Sequence, residues 1–127
     1  MRQLEAEHQV ALFQWAKLME GVHPELSRMF HVPNGGKRDR ATAARLKAEG
    51  VKAGVPDIVL PVPRGGYHGL WIELKADNGK PSKEQKDWMD YLNKAGYCAL
   101  LCYGWRTARV DIEKYINLTE GEKYGEL

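Results

Sequence analysis

Apolar and polar positions alternate with two different periods along this chain, and the switches between them mark its elements. Residues 4–19 follow a helical period: Leu4, Ala11, Trp15 and Leu18 recur at three- and four-residue spacing, with Val10 and Leu12 widening the stripe. Glu7 falls on the same stripe, so the pattern points one carboxylate toward the apolar side. It is either a rim charge suited to the first turns of a helix or a group reaching inward to a cation. Gly21-Val-His-Pro24 breaks this helix. Met29-Phe-His-Val32 reads as a short strand running into the turn Pro33-Asn-Gly-Gly36, with His31 at its end. Residues 39–49 predict a second helix, with Asp39 as N-cap, good helix formers at Ala41, Ala44, Leu46 and Ala48, and Gly50 closing it.

Two apolar runs come next, Ile58-Val-Leu-Pro-Val62 and Leu70-Trp-Ile-Glu-Leu-Lys75, separated by Arg64-Gly-Gly-Tyr67. Strand-forming residues around a Gly-containing loop predict a β-hairpin. Ser82 followed by Gln85 fits a capping box opening a helix over residues 83–95, whose inward stripe is Gln85, Trp88 with Met89, Leu92 and Ala95, closed by Gly96. Gln85 therefore has two readings, a cap and a polar group at the start of a core-facing stripe. Residues 97–103 are a continuous apolar strand covered on both faces. Residues 105–116 form a last helix with Trp105, Ala108, Ile112, Tyr115 and Ile116 on one side, and residues 117–127 are a polar tail. The order α-β-α-β-β-α-β-α predicts an α/β fold with a mixed central sheet flanked by helices.

Length and composition change this picture little. A chain of 127 residues with 43% hydrophobic and 28% charged residues is expected to form one soluble globular domain over 1–127. It has no apolar run near the ~20 residues of a membrane span and no apolar signal core. Cys98 and Cys102 lie four positions apart in one strand, roughly 13 Å when extended, too far to bridge. Free buried thiols in a reducing cytoplasm are the expectation. The net charge of +2 hides an uneven distribution. Lys37, Arg38, Arg40, Arg45, Lys47 and Lys52 cluster against only Asp39 and Glu49, whereas the chain beyond Asp111 is acidic. The basic segment is either a solvated helix face or a polyanion contact.

The candidate chemistry sits in the hairpin. Strand alternation puts Trp71, Glu73 and Lys75 on one face, and Asp57 opens the partner strand beside Glu73. Pro56 fixes its own φ and pushes Val55 into extended angles, so the approach to Asp57 is rigid. Ionised groups in such an apolar context are normally paired or bound to metal. One reading is an ion pair at the sheet rim. The other is a hard-cation site for Mg²⁺ or Mn²⁺, with the two carboxylates, the Leu74 carbonyl and waters as an oxygen shell and Lys75 beside it; zinc is disfavoured because soft ligands are absent.

Pro56-Asp57 followed sixteen positions later by Glu73-Leu-Lys75 resembles the PD…(D/E)XK signature of a large nuclease superfamily. Gly54-Val-Pro-Asp57-Ile-Val, Ile72-Glu-Leu-Lys75, Lys80-Pro-Ser-Lys-Glu-Gln85 and the opening Glu7-His-Gln-Val10 together resemble the VRR-NUC family, the virus-type replication-repair nucleases, from Glu5 to Ile116. The resemblance is to the compact phage or prophage form and implies a restriction-endonuclease-like core. It implies Asp57 and Glu73 as metal ligands, Lys75 as catalytic lysine, Glu7 as an acid near the metal and Gln85 lining the site. It further implies metal-dependent hydrolysis of branched DNA, such as four-way junctions or flaps, by a homodimer in the cytoplasm of a bacterial host. Asn34 and the basic segment from Lys37 to Lys52 then become expected DNA contacts. A non-catalytic nucleic-acid-binding module, or a nuclease acting on RNA, are the alternatives.

Overall fold

The computed structural model of the chain describes residues 3–33 and 39–121. Its elements are α1 (Gln3–Leu18), a 3₁₀ turn (Pro24–Arg28), β1 (Phe30–His31), α2 (Arg40–Ala48), β2 (Ile58–Leu60), β3 (Leu70–Lys75), α3 (Lys83–Lys94), β4 (Cys98–Tyr103) and α4 (Trp105–Ile116). The strands lie in the order β1-β2-β3-β4. β1–β2 and β2–β3 are antiparallel, and β3–β4 is parallel. This is the mixed sheet that a hairpin followed by strand–helix–strand requires. Among the described residues no helix is long and apolar enough to cross a membrane.

Each local signal in the middle of the chain has a visible cause. The hairpin reverses at Gly65 and Gly66, whose φ values of 55° and 85° suit the paired left-handed positions of a tight hairpin turn, and Tyr67 N donates to Arg64 O across it. Asp39 caps α2 by accepting from Thr42 N at 2.7 Å. Ser82 and Gln85 form a reciprocal capping box on α3. Arg64 extends from the hairpin to the Ile116 carbonyl and to the Glu25 carboxylate, and the Tyr115 hydroxyl donates to Val62 O at 2.7 Å. The start of the tail is held as well: Leu118 is buried in the core, so the polar segment does not leave the body at residue 117.

The sheet is covered on both faces. Leu70, Ile72 and Leu74 of β3 join Leu12 and Ala16 of α1 and Ala108, Ile112 and Tyr115 of α4 in one apolar cluster. Each fully buried Leu or Ile there contributes about 1.5–3 kcal/mol relative to exposure. On the other face α3 packs against β4, and Glu73 of β3 meets Gln85 of α3.

α1 is rotated relative to the sequence expectation. Its buried residues are Glu5, Leu12 and Ala16, while Leu4, Val10 and Leu18 are exposed at 52%, 58% and 84%. Apolar residues lie nearly all round this helix, so two registers of the same period fit the sequence. Packing on β3 and α4 selects one of them. The second helix differs in kind: no side chain of α2 is buried.

The loop after α2 reaches α3 through Gly54. Gly54 has φ +88°, and a Cβ there would lie 2.5 Å from the Glu84 carbonyl carbon. Only glycine fits both the backbone angle and the contact. Gly54→Ala is therefore expected to destabilise the domain by at least about 1–2 kcal/mol, measured as a lowered urea midpoint; unchanged stability would contradict this role.

Candidate active site

The Pro56–Asp57 step is built from the hairpin register. Ile58 pairs with Ile72 and Leu60 with Leu70, so the next position opposite Leu74 is Pro56. On β3 these even-numbered residues turn their backbone groups toward β2, because Lys75 O on the other edge accepts from Gly104 N. Proline has no N–H to give Leu74. The Asp57 side chain takes over the place of a ladder partner, its Oδ2 accepting from Leu74 N at 3.0 Å. The Leu74 carbonyl is left facing the same edge without a donor from Pro56. From the other side, β1 grips the Asp57 backbone: Val32 N donates to Asp57 O at 2.7 Å, and His31 Nδ1 lies 2.9 Å from the same oxygen. His31 thus braces Asp57.

Glu73 and Lys75 share the face of β3 that looks toward α3. Glu73 is 1% exposed, and Asp57 and Lys75 are each 8% exposed. Glu73 Oε2 receives Gln85 Nε2 at 3.1 Å and faces Lys75 Nζ at 3.4 Å. Gln85 fills both roles left open by the sequence, since its Oε1 simultaneously accepts from Ser82 N at 2.8 Å. The cap therefore fixes the rotamer that presents the amide to Glu73. Glu73 Oε1 is buried and has no hydrogen-bond partner.

Electrostatics follow from this burial. Desolvation pushes both carboxyls up, and the neighbouring Asp57 charge raises Glu73 further, to about 8, against the partial relief given by Lys75. Two buried acids, one orphaned oxygen and a carbonyl form an all-oxygen donor set. Among the described residues no third His, Cys, Asp or Glu joins it. That set fits a hard divalent cation completed by water and substrate oxygens, and it does not fit a zinc cage. Asp57, Glu73 and the Leu74 carbonyl would hold such an ion.

Not every residue singled out by the sequence comes to this site. Glu7 is exposed; it lies about 200° around the helix from Glu5, and Glu5 is the acid that α1 buries. Arg40, Arg45, Lys47 and Lys52 are exposed on and just beyond α2, in the connection that leads into Asp57, and Arg45 also meets Glu49 at 3.7 Å. Asn34, Lys37 and Arg38 lie outside the described residues. Three supporting positions had no reading for this role. His8 Nδ1 accepts from Trp105 N at 3.1 Å, and the adjoining Gly104 N holds the Lys75 carbonyl at 2.8 Å. Gly79 lies over the Lys75 stem, where a Cβ would sit 3.3 Å from Lys75 Cβ and Cδ. Cys98 and Cys102 are free and buried, as expected, and take no part.

A mixed sheet with helices on both faces and an acid–acid–lysine cluster at the start of a hairpin defines a nuclease-type α/β domain. A family model for the VRR-NUC domain matches residues 3–105, and the chain belongs to the VRR-NUC family. A solved structure described as a VRR_NUC domain protein superposes with a TM-score of 0.81 at 33% identity, over 96% of this chain and 97% of its own. No match is found among curated proteins.

The raised carboxyls have a consequence for stability. A carboxyl whose folded pKa exceeds its unfolded value binds more protons in the native state, so its contribution is greatest at low pH and is lost as pH rises. Thermal melts in EDTA are expected to show Glu73 lowering stability between about pH 5 and the value near 8, with a slope of at most about 1.4 kcal/mol per pH unit. Glu73→Gln removes that component; an identical pH profile in both proteins would refute it.

Proposed function

We propose that this VRR-NUC domain is a Mg²⁺- or Mn²⁺-dependent endonuclease that hydrolyses phosphodiester bonds in branched DNA. The observation that carries this reading is the buried, partnerless Glu73 Oε1 beside Asp57 and Lys75. A folded protein that needed only an ion pair there would satisfy both carboxylate oxygens. A divalent ion supplies charge neutralisation at the phosphodiester and a more acidic water.

The chain's own residues do the rest. The Leu74 amide and the β1 backbone fix Asp57, and Gln85 fixes Glu73, so both acids are preorganised rather than recruited. Lys75 places a buried ammonium where negative charge develops on the phosphodiester, and its N–H groups are positioned to orient the attacking water by donating to its oxygen. The burial of all three excludes bulk water and strengthens these interactions. The exposed cations Arg40, Arg45, Lys47 and Lys52, with Lys37, Arg38 and Asn34, are proposed to contact phosphates, which positions DNA without reading its sequence. A symmetric dimer would offer two such sites to a four-way junction; light scattering is expected to return twice the chain mass, and a monomer at all concentrations would exclude it.

The decisive assay is cleavage of four-way junctions, flaps and matched RNA junctions with Mg²⁺, with Mn²⁺ and with EDTA. Cleavage of branched DNA is expected with either metal and none with EDTA. Lys75→Ala is expected to lose about 100- to 1,000-fold or more in rate while remaining folded by circular dichroism. Wild-type cleavage by Lys75→Ala, or DNA binding with no cleavage under any condition, would sink the proposal; preferential cleavage of RNA would redirect it.

A further inference from the structure

A second feature adjoins Lys75 on the same face of the sheet. Lys75 and Tyr103 are register partners in the parallel β3–β4 pair. Side chains of register partners stand on one face about 5 Å apart, so the Tyr103 ring rises beside the Lys75 stem. Tyr103 ends an otherwise well-covered strand, yet it is 41% exposed. At the opposite end of the same strand pair the aromatic rings are engaged, Tyr97 packing edge-on against both Trp71 and His68. Tyr103 has no ring partner among the described residues. It lines an open groove of about 610 Å³ together with Asp77, Asn78, Gly79 and Lys80. The groove reaches the site directly, because Gly79 is the residue packed on the Lys75 stem. Asn78 holds φ 68°, which sets the turn that brings Lys80 to the same groove.

The chemistry of this groove is specific. An aromatic face beside the catalytic lysine accepts a nucleobase only if that base has left its stack, because a paired duplex base presents no free π-face. The Lys80 ammonium, one residue beyond Gly79, suits the phosphate on the far side of such a nucleotide, while Asp77 keeps the groove from being a general anion trap. We propose that Tyr103 and Lys80 form a subsite for one unpaired nucleotide flanking the scissile phosphate. This rests on the nuclease reading and deepens it: the substrate class becomes DNA with an unpaired or splayed base next to the cleaved linkage. Selectivity for branched DNA then comes from the base that a branch point frees, rather than from the shape of the junction alone.

Binding measured without metal separates this proposal from catalysis. A flap and a matched continuous duplex, each with 2-aminopurine at the nucleotide beside the branch, are titrated in EDTA against the wild-type chain, Tyr103→Phe, Tyr103→Leu and Lys80→Ala. Circular dichroism and melting confirm that each variant is folded, and Tyr103→Phe is the second variant should leucine prove disruptive. Quenching of 2-aminopurine on the flap is expected with wild type and Tyr103→Phe and is expected to disappear with Tyr103→Leu. Flap affinity is expected to fall roughly tenfold in Tyr103→Leu, with duplex affinity unchanged. Lys80→Ala is expected to weaken flap binding and lower its salt dependence by about one phosphate contact. Equal flap binding by wild type and a folded Tyr103→Leu, or equal losses on flap and duplex, would overturn the subsite. A wild-type chain that shows the quenching but cleaves nothing would leave the subsite standing and remove the nuclease reading instead.

Discussion

Asp57 and Glu73 are held side by side in a place that water scarcely reaches. Burial makes both hard to ionise, the neighbouring Asp57 charge makes Glu73 harder still, and the Lys75 ammonium only partly relieves them. An arrangement of this kind is unfavourable by itself and persists only where the surrounding structure leaves the side chains no alternative. Much of what is specific to the fold supplies that constraint. The Leu74 amide holds one acid, the Gln85 amide holds the other, and β1 clamps the backbone that carries Asp57.

Pro56 is the hinge of the arrangement. In an antiparallel pair each inward-turned position expects a donor from across the ladder, and Pro56 withholds it from Leu74. The omission leaves the Leu74 carbonyl without that donor, while the Leu74 N–H donates to the Asp57 carboxylate instead of to a backbone carbonyl. The missing N–H and the inserted carboxylate together convert the end of a hairpin from a closed ladder into a set of convergent oxygens. The supports on the opposite side act at longer range. His8 holds the first turn of α4, α4 begins at the glycine whose N–H holds the Lys75 carbonyl, and Gly79 limits where the Lys75 stem can lie.

The two kinds of helix reflect different tasks. α1 and α4 bury apolar stripes and stabilise the sheet. α2 buries no side chain and carries exposed cations. A helix with no buried face gains little from tertiary packing, so Asp39 capping and its own helix-forming residues sustain it. That leaves its charged surface free for an external partner. α3 stands between these cases, with one end capping the site through Gln85 and the other packing Leu92 against the sheet.

What could be read in the sequence was whatever is decided within a few residues. The hairpin, the Asp39 cap, the Ser82–Gln85 box and the alternation that places Lys75 beside Glu73 all depend on local backbone geometry, and each stands where its pattern put it. The acid–acid–lysine spacing belongs to the same class, because a turn of fixed length sets the register that brings Asp57 to Glu73. The rotation of α1 does not. Its apolar residues permit two inward faces, and only contact with β3 and α4 exposes Glu7 and buries Glu5. The same holds for His8, Gly79 and Tyr103. Their neighbours lie far away in sequence or across a strand pair, and no local preference distinguishes them from ordinary helix, turn and strand residues. The sequence by itself determined that the central acids and lysine meet at one end of the hairpin; tertiary packing decided which further side chains stand around them, because long-range contact, unlike periodicity, leaves no mark on neighbouring residues.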